Sequence, residues 1–186
     1  FAVAANDNWG GAADLQAAFG AAGAFNLPAG SGDAAVLVRL PPGGYTIQVA
    51  GTGTVAAASG VALVEVYEAD ATPSTLVNLS CRARVATGAD ILAAGFVVRG
   101  TTPRRLLIRA VGPTLGSAFN LPGFLADPVL SVYNSSGTLV YSNDDWTSAN
   151  DVSGLASAGA RLGAFTLGAA SADAGGILTL SPGSYT

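Results

Sequence analysis

Two oxygen-rich tetrads, Asn6-Asp7-Asn8-Trp9 and Asn143-Asp144-Asp145-Trp146, are the densest groups of chemistry-bearing side chains in this sequence. Calcium is held by roughly six to eight oxygens, commonly from Asp, Asn and backbone carbonyls. That chemistry makes Asp7, Asp144 and Asp145 candidate calcium ligands, with Asp33 and Asp173 as further donors at matching positions (173 − 33 = 140). Trp9 and Trp146 are the only tryptophans. An exposed indole beside Asn and Asp can stack on a sugar ring, which makes both candidate carbohydrate ligands. A structural reading competes with each of these. Asn-Asp forms an Asx-type turn, and the indole covers one end of a core.

The residue types that are missing narrow the chemistry further. The chain contains no His and no Lys, so it cannot build a Ser-His-Asp or Cys-His catalytic set, an imidazole metal site or a Schiff base. Glu65 and Glu68 fall on opposite faces of one strand or just beyond its end, and do not form the carboxylate pair of a glycosidase. The chain is therefore expected not to be an enzyme. A net charge of −4 disfavours nucleic acid, which rewards clustered cations. Arg99, Arg104, Arg105 and Arg109 do cluster, which makes a small-anion site the alternative to reading Arg105 and Arg109 as one solvent-facing side of the strand Arg105-Leu106-Leu107-Ile108-Arg109. No apolar run reaches the roughly eighteen residues of a membrane span. Cys81, the single cysteine, is expected to be buried and unreactive. Asn78-Leu79-Ser80 and Asn134-Ser135-Ser136 match the glycosylation sequon, a pattern common by chance.

The elements that position the tetrads repeat. Asn6 returns as Asn143 at an offset of 137 (143 − 6), and Pro42-Gly43-Gly44-Tyr45-Thr46 returns as Pro182-Gly183-Ser184-Tyr185-Thr186 at 140 (182 − 42). The second copy thus holds three extra residues, between Trp146 and Gly163 (140 − 137). Two incomplete copies of one module are expected: 1–72 as the C-terminal part of a first repeat, 73–76 as a linker, and 77–186 as the N-terminal part of a second. Half the residues are apolar and 11% are charged, which argues against disorder.

Strand signals dominate both copies. Val36–Leu40, Tyr45–Val49 and Val61–Tyr67 read as strands in the first, the last with Ala62, Val64 and Val66 toward the core. Cys81–Val85, Asp90–Arg99, Arg105–Val111, Val129–Tyr133 and Thr138–Ser142 read as strands in the second. Short strands between Gly, Pro and Asn turns predict an all-β, antiparallel β-sandwich. Short helical turns at Ala12–Ala22 and Val152–Leu162, capped by Asp14 or Asp151, are an even alternative to coil there. The stretch from Gly112-Pro113-Thr114 to Pro122-Gly123 reads as a loop.

The run Asp127-Pro128-Val129-Leu130-Ser131-Val132-Tyr133 to Gly137, then Asn143-Asp144-Asp145, then Leu180-Ser181-Pro182-Gly183-Ser184-Tyr185-Thr186 resembles the bacterial pre-peptidase C-terminal type of β-sandwich. With Ala94–Val98 and Ile108–Pro113, the whole unit is also similar to tandem repeats of large exported proteins in Verrucomicrobia-like bacteria. The resemblance implies a jelly-roll-like sandwich located outside the cell or on its surface. Some members of the pre-peptidase type bind calcium, which adds weight to testing Asp7, Asp144 and Asp145.

These readings converge on a structural extracellular repeat, the unit of a surface fibre, sheath or adhesin stalk. Its expected partners are other copies of itself, joined head to tail by strand sharing. The second copy has no counterpart of Ile47–Val49 or Val61–Tyr67, and the first none of roughly Cys81–Tyr141. The alternative is a carbohydrate- or cell-wall-binding accessory module of a secreted protein.

Overall fold

A computed structural model describes residues 2–52, 60–69 and 75–186. The chain divides into two compact units, Phe1–Val77 and Asn78–Thr186. The expected linker at 73–76 lies partly outside the described residues.

In the first unit the described residues hold one regular element, helix α1 (Ala13–Ala22). Alanine has the highest helix propensity, and that outweighs the cost of Gly20. The helix stops where Gly23 turns left-handed (φ 77°) and returns its N–H to the Phe19 carbonyl. Leu15 is its buried anchor, and Trp9 lies in the same core with its ring 5.7 Å from that of Phe19.

The second unit holds the remaining elements: β1 (Phe96–Val98), β2 (Arg104–Ala110), α2 (Pro113–Phe119), β3 (Leu130–Tyr133), β4 (Leu139–Asn143), α3 (Val152–Arg161), β5 (Ala174–Leu180) and β6 (Gly183–Tyr185). A 3-10 turn at Trp146–Ser148 precedes α3. It opens the interval from Trp146 to Gly163 that carries the three extra residues of the second copy. The strands pair antiparallel as β1 with β6, β2 with β5 and β3 with β4. In the longest ladder Arg104 faces Leu180 and Ala110 faces Ala174. Val98, Val132, Leu178 and Leu180 form the core, walled by Phe96, Leu106, Ile108, Leu130, Tyr141 and Tyr185.

The jelly-roll-like, all-β expectation is therefore wrong. Among the described residues the fold is mixed α/β with little sheet, three helices and six short strands in three two-stranded sheets. The reasons are local. The alanine-rich stretches form full helices rather than turns. Asp151 caps α3 by accepting the Gly154 amide at 2.9 Å, whereas α1 starts from Ala12 and Asp14 sits inside its first turn. The predicted loop after Gly112 becomes α2 because Pro113 at the first helical position is preset for helix and needs no N–H partner.

The predicted strands Val36–Leu40, Tyr45–Val49 and Val61–Tyr67 are not formed, and neither is Cys81–Val85. Alternation marks a segment that fits a sheet, but a strand exists only through a partner's hydrogen bonds. Without a ladder, Ile47, Val49, Val64 and Val66 are exposed, against the inward facing expected of Val64 and Val66. Cys81 is also exposed rather than buried.

The arginine side of β2 is likewise not a bare solvent face. Arg105 pairs with Asp151 at the start of α3 at 3.0 Å. Arg109, half-buried, lies over the Phe165 ring at 4.5 Å and donates to the Phe165 carbonyl at 2.6 Å.

Candidate functional site

Each unit builds the same clasp around its tryptophan. The Trp9 amide donates to the Asp33 carbonyl at 2.8 Å, and the Trp146 amide to the Asp173 carbonyl at 2.7 Å. The indole N–H of Trp9 reaches the Pro28 carbonyl at 3.1 Å, and that of Trp146 reaches Gly168 at 3.0 Å. Ser31 and Ser171 each donate a hydroxyl to the Asp two residues on, both at 2.6 Å. The side-chain oxygen of Asn6 accepts the Ala35 amide at 3.0 Å, as that of Asn143 accepts Gly175 at 2.9 Å. Tyr45 and Tyr185 donate back to the carbonyls of Pro41 and Ser181, four residues earlier, at 2.8 and 2.9 Å.

The first Asn of each tetrad therefore ties the segment entering Val36–Leu40 in the first unit and β5 in the second, and the Trp ties the turn before it. Their polar atoms satisfy backbone that would otherwise be stranded without partners.

The second clasp is closed. The Asp173 carboxylate is fully buried and accepts four hydrogen bonds. They come from the Gly112 amide at 2.7 Å, the Thr114 amide at 3.3 Å, the Ser171 hydroxyl at 2.6 Å and the Thr114 hydroxyl. Burial by itself pushes this carboxyl upward, but the four donors outweigh burial and hold it below the ordinary aspartate range. Gly112 has to be glycine, since a Cβ there would stand 2.0 Å from the Leu125 carbonyl oxygen.

The first clasp is open. Asp33 is exposed, and among the described residues it has, of these four donors, only the counterpart of Ser171, the hydroxyl of Ser31.

The sequence-derived candidates fall as follows. Asp7, Asp144 and Asp145 are all exposed. Asp7 accepts from the Asn8 carboxamide at 3.3 Å, and Asp145 offers its backbone carbonyl to Asn143 and Ser148. No three or more acidic or cysteine side chains gather to share an ion among the described residues. Trp9 is buried at 4% exposure and Trp146 is partly buried. A cavity of about 90 Å³ beside Trp146, lined also by Arg109, Leu155 and Phe165, is well below the roughly 300 Å³ of a small ligand pocket.

Sequence reasoning missed Gly112, Thr114 and Ser171. The equal spacing of Asp33 and Asp173, each two residues after a Ser, was the available signal. Among the described residues, every buried side-chain nitrogen and oxygen has a partner, so none is left aimed at a ligand. No helix among the described residues is long and apolar enough to cross a membrane. Comparison with family models, with curated proteins and with solved structures gives no match.

Proposed function

We propose that this chain is a non-enzymatic structural repeat of an extracellular assembly, a surface fibre, sheath or adhesin stalk whose modules are completed by neighbouring repeats. One observation carries this reading. The same Asn-Trp-Asp clasp is built in both units, closed by a Gly-Pro-Thr turn in one and left open in the other. A repeat that presents an open clasp beside exposed strand-forming residues suits joining to a neighbouring repeat. The indole N–H groups of Trp9 and Trp146 are committed to backbone carbonyls, which gives the carbohydrate-binding alternative less support.

Electron microscopy and intact mass of native material test the proposal. Elongated assemblies in the envelope or extracellular fraction are expected. A compact monomer that binds insoluble polysaccharide through Trp9 or Trp146 would replace this reading with the accessory-module one.

A further inference from the structure

We infer that the open clasp at Asp33 is the docking site for another repeat's counterpart of the Phe96–Asn143 segment, one with a smaller side chain where this chain has Tyr141. The inference rests on the repeat-assembly reading and names the partner of that site.

Three comparisons between equivalent positions carry it. Asp173 is fully buried under the Gly112–Thr114 turn, while Asp33, in the same clasp, is exposed. Leu178 and Leu180 are 6% and 7% exposed where β5 pairs with β2, while their counterparts Val38 and Leu40 are 43% and 40% exposed. Phe165 lies against Arg109 and the edge of Phe119 at 4.9 Å and is 38% exposed, while its counterpart Phe25 is 56% exposed. All three deficits are supplied in the second unit by one stretch of chain, from β2 through α2. A segment of the same chemistry would bury Asp33, Val38 and Leu40 and partly cover Phe25, with its Gly-x-Thr turn donating to Asp33 and its β2 strand pairing along residues 34–40.

The fourth comparison sets the specificity. Position 176 is Gly, and a Cβ there would stand 2.4 Å from the tip of the Tyr141 ring. The counterpart of Gly176 is Val36. A copy of this chain's own segment would bring its Tyr141 into the volume that Val36 fills, so the fitting partner is a related repeat with a small residue there. This is discrimination by exclusion.

The test uses the chain with a second copy of residues 78–141 placed ahead of its own Ala5, the join the repeat itself makes. Amide exchange over residues 34–40 is expected to slow by about 100-fold or more when the added copy carries Tyr141→Ala, and equally when Val36→Gly faces an unchanged copy. With Tyr141 and Val36 both kept, protection is expected to be at least about tenfold weaker. Residues 174–180 of the same molecule report whether the chain is folded.

No protection in either compensated chain, with 174–180 protected, would overturn the inference, and so would protection indifferent to residue 141. As a measure independent of the fusion, separate polypeptides of residues 78–143 are added to the full chain. The Tyr141→Ala segment is expected to bind more tightly than the unchanged one; a flat or reversed ranking overturns the size rule. The two readings can fail separately. Protected 34–40 with monomeric native material would keep this contact and reject the fibre. Filaments with unprotected 34–40 would keep the fibre and reject this contact.

Discussion

Thr114 binds Asp173 twice, through its backbone amide at 3.3 Å and through its hydroxyl, with both residues closed off from solvent. Removing the Asp173 carboxylate leaves the Gly112 and Thr114 amides buried without partners. Asp173→Ala is expected to destabilise the second unit by at least about 3 kcal/mol, since hydrogen bonds to a buried charge are each worth about 1.5–3 kcal/mol. Asp33→Ala, at the exposed equivalent, is expected to stay within about 0.5 kcal/mol. Urea denaturation followed by amide exchange in each unit separates the two; equal losses would mean that the two clasps do not differ as described.

The same carboxylate makes the second unit sensitive to acid. The folded-state value for Asp173 is held below that of the unfolded chain, so folding releases a proton there as pH falls into the titration range. The stabilisation is complete above the unfolded value, about 4, and is lost as pH falls through the folded value. The urea midpoint of the second unit is expected to drop between neutral pH and about pH 2–3, and to drop less in Asp173→Asn. An identical drop in both proteins would assign the acid sensitivity to other groups.

The clasp was half legible in the sequence. The offset of Asn6 from Asn143 and of Asp33 from Asp173 marked the four side chains that recur. Their task was hidden because their partners are mostly backbone groups, Pro28, Gly168, Ala35 and Gly175, which leave no residue-type signature. Pairing was hidden for a different reason. Val36–Leu40 reads as a strand and forms none, whereas Ala174–Leu180, not read as a strand, pairs along β2. Strand formation is decided by a partner distant in sequence, which alternation in one segment does not encode. The helices over Ala12–Ala22 and Val152–Leu162 were an even alternative to coil on sequence, and there the local propensity of alanine prevails over the cost of the glycines.

Both tryptophans act through their indole N–H in this structure, and Trp9 is the more buried. Trp9→Phe keeps a ring but loses the donor to Pro28, and is expected to cost about 1–2 kcal/mol in the first unit, with the same range for Trp146→Phe in the second. Retention on insoluble polysaccharide columns is expected not to change in either variant. Loss of retention in a folded variant would restore a sugar-stacking role.

Calcium is a separate question with a direct readout. Asp7, Asp144 and Asp145 are exposed, and no donor group of three gathers among the described residues. Adding a chelator, or millimolar calcium after chelation, is expected to leave the melting temperature unchanged. A chelator-induced fall that Asp144→Asn or Asp145→Asn abolishes would establish a site built on those side chains.

The volume conflict between Tyr141 and position 176 can be measured inside the second unit alone. Tyr141 lays its ring over Gly176 and donates its hydroxyl to the Gly175 carbonyl at 2.9 Å. Gly176→Val, which installs the residue of the first repeat, is expected to cost about 1–3 kcal/mol by overpacking, even though valine suits a strand better than glycine. Tyr141→Ala alone is expected to cost about 3 kcal/mol through the lost core contact and hydroxyl. The double variant should be more stable than the sum of these costs by at least about 1 kcal/mol, because each change removes the other's clash or fills its void. Strict additivity would mean that the Tyr141 ring swings away freely, and it would remove the steric basis on which one repeat can tell its partner from its own copy.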